Sequence, residues 1–260
     1  MLRIAFALIL SLISATPAWA AVKSKNIDYK YNGKTFKGYL AWDDSIQGKR
    51  PGVLVVHEVW GLNDYARSRA DQLAKLGYVA FAADMWGDGK VSSSMEEAQA
   101  WMTELRNNLP EWLGRANAAI KVLSEQPTVD PTKLAAMGYC FGGGTVLQLA
   151  FNGADLKLVA SFHGALVVPD STQNIKGKIL ILQGADDPFI PKETVQQVKA
   201  KLDQGKVNYQ LILYPGAVHG FTVPGSEKRG MKGVAYNAEA DQQSWQELLS
   251  AFDQVFGKKS

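Results

Sequence analysis

The chain has a single cysteine in 260 residues, Cys140, so no internal disulfide can form and no C-x-x-C pair or resolving thiol is present for dithiol redox work. Beyond its N-terminus it has no apolar run approaching the roughly 20 residues that a membrane span needs. Runs of basic residues are absent as well, and the formal net charge is only +3. That balance argues against nucleic acid or an anionic membrane surface as the main partner. Internal repeats and low-complexity segments are missing, which removes solenoids and disordered tails from consideration. What remains is an ordinary globular composition, 47% hydrophobic and 20% charged, enough for one sizeable core.

The first 20 residues read as an export signal. Basic Arg3 is followed by an apolar stretch over residues 4–13 and by Ala18-Trp19-Ala20, a small-x-small cleavage site before Ala21. The apolar part is too short to cross a bilayer. The expected product is one exported domain over residues 21–260, periplasmic or secreted, monomeric, with no membrane span, metal or cofactor. A lone thiol kept in an oxidising compartment is either sheltered or useful.

Hydrophobic patterning predicts an α/β fold. Residues 26–31 and 35–42 form strands joined by Asn32-Gly33, a pair suited to positive φ in a two-residue hairpin. Residues 53–56 are a continuous apolar run, the mark of a strand buried on both faces of a parallel sheet. Asn63 caps a helix ending at Gly77, Ser94 and Glu97 make a capping box, and Pro110 opens a further helix. Strands at 78–82, 134–137, 158–162, 179–182 and 209–214 alternate with helices, the last of which covers 238–256. Such spacing predicts a mostly parallel central sheet with helices on both faces.

The stretch Gly138-Tyr139-Cys140-Phe141-Gly142 is the thiol form of G-x-S-x-G, placed between a strand and a helix. Glycines flanking a nucleophile at that spacing permit a turn too tight for Cβ atoms. Asp186 and Asp187 follow the strand at 179–182, and His219 follows the strand at 209–214. Nucleophile, acid and histidine thus occur in the chain order of α/β-hydrolases. A histidine base would activate the thiol, and an aspartate on its far nitrogen would fix the tautomer. Position within the loop must choose between the two aspartates. Of the other histidines, His57 is expected to pack or hydrogen-bond near the site and His163, at a strand end, to line the pocket.

From about residue 35 to 256 the chain resembles the dienelactone hydrolase family, on the strength of Gly138-Tyr139-Cys140-Phe141-Gly142-Gly143, His57-Glu58-Val59-Trp60-Gly61, Asp187-Pro188-Phe189-Ile190-Pro191 and His219-Gly220-Phe221. The resemblance implies an α/β-hydrolase fold and hydrolysis of a small ester or lactone. It selects Asp187 as the acid, since the family's acid precedes x-aromatic-aliphatic-Pro, and matches Glu58 to a glutamate that pairs with the resting thiol. Backbone amides of Phe141 and Val59 are expected to form the oxyanion hole. Trp60 and Trp86, on two strand-end loops, are expected to floor the pocket.

The chain departs from the pattern where members that act on dienelactone carry arginines for its carboxylate. Val223 stands at one such position and residues 91–105 contain no Arg or Lys, which predicts neutral esters or lactones as substrates. Arg229, on the glycine-rich segment 224–236, is the alternative cation. Two other classes compete with an esterase. A non-catalytic binding protein would not need the complete set of partners, and a thiol redox protein would need a second cysteine.

Overall fold

The computed structural model describes residues 22–258, so the reading of an export signal falls outside the described residues. The chain opens with the expected hairpin, β1 (Val22–Tyr31) and β2 (Lys34–Asp43), turned by Asn32 and Gly33 with φ of 47° and 75°. Then come β3 (Arg50–Val56), α1 (Asp64–Lys75), β4 (Val79–Ala83), α2 (Met95–Arg106) and α3 (Leu109–Ser124). The second half runs β5 (Val129–Tyr139), α4 (Phe141–Phe151), β6 (Leu158–Phe162), β7 (Lys178–Gly184), α5 (Lys192–Gln204), β8 (Tyr209–Tyr214), a 3-10 turn (Ser226–Arg229) and α6 (Ala238–Phe256).

The strands form one eight-stranded sheet in the order β1-β2-β4-β3-β5-β6-β7-β8. Only the β1/β2 and β2/β4 pairs are antiparallel; β3 to β8 run parallel, which sends all their carboxyl ends to one edge. Alternation along the buried strands feeds two cores. From β3, Leu54 and Val56 join α2, α3 and α4, while Val53 and Val55 join α1 and α6 on the opposite face. Caps start the helices where the sequence places them: Asn63 Oδ1 accepts from Ala66 N (3.2 Å), and Ser94 Oγ accepts from Glu97 N (3.4 Å).

Several strands run longer than expected, and β5 and α4 differ most at their starts. Strand β5 begins at Val129 rather than near residue 134, pairing early with Arg50 and Pro51 before a register shift at Pro51/Gly52. Helix α4 begins at Phe141, although three successive glycines make poor helix interior. Packing overrides propensity there. A Cβ on Gly142 would lie 2.2 Å from the Val56 carbonyl oxygen, one on Gly143 would lie 2.7 Å from Ser161 Oγ, and one on Gly144 would lie 2.9 Å from the Ala165 carbonyl oxygen.

Because the atom that Gly142 would strike is main chain at a strand end, relief requires α4 to move. Gly142→Ala is expected to cost about 2–3 kcal/mol of unfolding free energy, read from urea denaturation. Gly216→Ala, where open space surrounds the added carbon, is expected to cost only the ~1 kcal/mol of a left-handed residue.

Candidate active site

Cys140 links β5 to α4 with φ 54° and ψ −115°, a conformation that is costly for any residue with a Cβ. The turn is held from both sides: Cys140 N donates to Phe162 O (3.1 Å), and Cys140 O accepts from Gly144 N and Ala165 N (3.2 Å each). The thiol therefore stands at the amino end of α4, where the helix dipole favours negative charge.

Asp187 follows β7 and is 6% exposed. Its Oδ2 accepts from His219 Nδ1 (2.8 Å) and from Gln183 Nε2 (2.7 Å), and its Oδ1 accepts from Phe189 N (2.9 Å). Asp186 points elsewhere, accepting from Gly216 N (2.8 Å) to tie two loops together. The structure thus brings Asp187, not Asp186, to the imidazole. His219 follows β8 and faces the same cavity as Cys140. Burial alone would depress the His219 imidazolium; the Cys140 thiolate and then Asp187 outweigh it and hold the group well above its ordinary value.

Glu58, on the loop after β3, is 6% exposed, and its Oε2 has no hydrogen-bond partner. Burial raises its pKa, opposed by the charges of Arg229 and His219. Cys140, His219 and Glu58 share a cavity of about 440 Å³ with Val59, Trp60 and Phe141. As the first residue of α4, Phe141 has an amide with no acceptor inside the helix. Among the described residues the Val59 amide has no backbone acceptor either.

Two residues expected in the pocket do not line it. Trp86 lies behind the wall, its ring 4.6 Å from that of Phe141 and its Nε1 donating to Val59 O (3.1 Å). Its loop is folded back by Asp84, whose carboxylate accepts from the amides of Trp86, Gly87 and Gly89. His163 is fully buried, with Nε2 bonded to Thr222 Oγ1 (2.8 Å) and its ring edge-on to His219 at 5.3 Å. It packs behind the histidine. Trp60 does line the cavity, with the Arg229 guanidinium 4.1 Å above its ring.

Reading the sequence missed the contribution of α2. Met95, Gln99, Met102 and Arg106 all line the cavity, and their spacing puts them on one helical face. Arg106 lies one residue beyond the arginine-free stretch 91–105. A larger polar depression of about 510 Å³, among Lys157, Lys176 and Lys206 at the other end of the strands, is lined by no cysteine, histidine or carboxylate. Among the described residues no group of three or more His, Cys, Asp or Glu is placed to hold a metal ion, and no helix is long and apolar enough to cross a membrane.

The arrangement is a thiol on a strained turn, a histidine oriented by a buried carboxylate, and two residues of the same cavity, Phe141 and Val59, with amides that have no backbone partner among the described residues to accept from them, which together suit acyl transfer. Known proteins share the fold that carries it. A solved structure called m3DLH superposes with a TM-score of 0.88 at 40% identity, covering 90% of this chain and 99% of its own. A dienelactone hydrolase-like promiscuous phosphotriesterase from metagenomic libraries does so at 0.87 and 37%, over the same shares of the two chains. A Synechocystis sp. protein named "Putative carboxymethylenebutenolidase" is 29% identical over 232 residues, 83% of this chain and 90% of its own. The model of the dienelactone hydrolase family matches residues 36–256, and the chain belongs to that family.

Proposed function

We propose that this hydrolase of ester or lactone bonds works by transferring the acyl group of its substrate to Cys140. The observation that carries the reading is the assembly, on one sheet edge, of Cys140 at φ 54° with His219 and Asp187. The sulfur attacks the carbonyl carbon, and the carbonyl electron pair moves to an oxygen held by the Phe141 and Val59 amides. When the carbon–oxygen bond breaks, the His219 imidazolium gives its proton to the departing alkoxide. A water molecule, deprotonated by His219, then attacks the thioester; the thiolate leaves and the acid is released. Glu58, whose proton is favoured by burial against the opposing charges of Arg229 and His219, lines the cavity beside the thiol and is the partner of the resting sulfur. Residues 1–20, read as an export signal, put this monomeric esterase in the periplasm or outside the cell.

Arg106 and Arg229 reverse the expectation of neutral substrates. They line an otherwise largely apolar cavity, and a guanidinium in such a place binds a carboxylate by charge-assisted hydrogen bonds. Esters or lactones carrying a carboxylate remote from the scissile bond are therefore the favoured class.

Cys140→Ser should fold normally and lose several orders of magnitude in turnover of p-nitrophenyl esters, because a hydroxyl is a far weaker nucleophile opposite a histidine set for a thiol. His219→Ala and Asp187→Asn should each be severely impaired and Asp186→Asn only mildly so; the reverse ranking of the two aspartates would show that the wrong acid is named here.

The pH profile follows from the raised His219 pKa. A cation stabilised in the folded site keeps its proton through the ordinary histidine range, so kcat/KM should show no loss near pH 6.5–7 and should fall on the alkaline side as His219 deprotonates. Asp187→Asn removes one support of the cation, and the alkaline fall should move to lower pH in whatever activity remains.

Substrate charge is tested by pairs of esters matched except for a distal carboxylate. Arg229→Ala should lower kcat/KM for the anionic member about 10-fold or more and leave the neutral one nearly unchanged, as expected for loss of a hydrogen bond to a charged group. Equal losses for both members would remove Arg229 from substrate recognition.

A further inference from the structure

His57 is fully buried one residue ahead of Glu58, and no step of the proposed chemistry uses it. Its two ring nitrogens are both engaged. The amide of Met85 donates to Nε2 (3.1 Å), which makes Nε2 the acceptor and leaves the proton on Nδ1. Nδ1–H in turn donates to the carbonyl oxygen of Glu58. Burial pushes the imidazolium down, against the opposing pull of the Glu58 carbonyl and Asp84, in the same direction as the neutral form that the Met85 amide requires.

The Glu58 carbonyl and the Val59 N–H belong to one peptide unit. Among the described residues no peptide is cis, and in a trans peptide the two groups point in opposite directions. A donor clamped on the carbonyl therefore fixes where the N–H aims. The next carbonyl, that of Val59, is fixed as well, by Trp86 Nε1 (3.1 Å). Both clamping rings pack on Phe141, whose own amide is the second donor beside the sulfur: His57 lies 6.2 Å and Trp86 4.6 Å from it between ring centroids.

We propose that His57 is a positioning residue for the oxyanion hole: its Nδ1–H holds the Glu58 carbonyl so that the Val59 N–H is aimed into the catalytic cavity, with Trp86 holding the following carbonyl. The inference rests on the acyl-transfer reading above and adds to it the residue that sets the direction of one donor. The clamp acts on the transition state and leaves substrate binding and the thiol itself unaltered, which separates it from a purely structural role.

The test uses the mature protein, a neutral p-nitrophenyl ester and, separately, alkylation of Cys140 by iodoacetamide, which needs the thiol but no oxyanion hole. His57→Leu fills the space without an N–H. It should lower kcat about 10- to 100-fold, less than deleting a donor outright, with KM and the alkylation rate changed by no more than about 2-fold. His57→Asn returns a donor near the Nδ1 position and should recover most of kcat even though it gives the Met85 amide no equivalent acceptor. Trp86→Phe keeps the ring and removes the second clamp, and should show a smaller loss with the same split; it decides the matter if His57→Leu does not fold. The proposal is overturned if folded His57→Leu keeps its kcat, if His57→Asn falls as far as His57→Leu, if alkylation falls in step with kcat, or if Trp86→Phe leaves kcat untouched. Cys140→Ala in the same assay separates the two levels: should it still turn over the ester, the acyl-transfer reading fails whatever His57 does.

Discussion

The structure depends on a close approach of backbone to backbone, where the first turn of α4 lies against the end of β3 with no side chain between them. Gly142 sits so near the Val56 carbonyl oxygen that a single added carbon would come within 2.2 Å of it, and a Cβ on Gly138 would come equally near the Gly142 carbonyl oxygen. That contact leaves the chain no relaxed way to pass from β5 into the helix, and Cys140 absorbs the difference with a φ of 54°. The same contact sets the amide of Phe141 beside the loop that carries Glu58 and Val59. Cys140 and both candidate donors thus derive from one steric constraint, and the strain is met by burial of the surrounding strands.

Electrostatic arrangement follows the same edge of the sheet. Asp187 is buried but has three hydrogen-bond donors, whereas Glu58 is equally buried and leaves Oε2 with none. Two buried carboxyl groups on the same side of the sheet thereby differ in how well their charged forms are supported. Further back, Arg69 of α1 donates to Asp241 Oδ1 and Thr222 O and stacks on Tyr65, Tyr139 and Trp245. It joins the residue before Cys140 to the segment after His219 and to α6, which keeps loops far apart in sequence in fixed relation.

Much of this was legible in the residues. Continuous apolar runs marked β3, β4, β6 and β7, and caps at Asn63 and Ser94 marked helix starts, because those signals are local. The start of α4 was not, since three glycines argue against a helix and only their contacts with other strands explain them. Motif spacing and chain order pointed to Cys140, His219 and one of two aspartates after β7, and the resemblance to the family chose Asp187. Trp86 and His163 were placed one layer too far forward: a residue type and a strand-end position do not reveal which way a ring turns, and Asp84 in one case and Thr222 in the other decide it. The cavity face of α2 was readable in principle, as Met95, Gln99, Met102 and Arg106 repeat at helical spacing, but nothing in the sequence says which loop that face meets.

The thiol at the elbow is the chain's whole complement of sulfhydryl groups. A thiol-specific reagent therefore reports on the elbow alone, one equivalent per chain, without background from other positions. The same solitude has a cost under oxidation. A sulfenic acid formed on Cys140 finds no neighbouring thiol in the chain to trap it as a disulfide, so repair depends on a reductant from outside, and without one the oxidation proceeds toward forms that are not reversed.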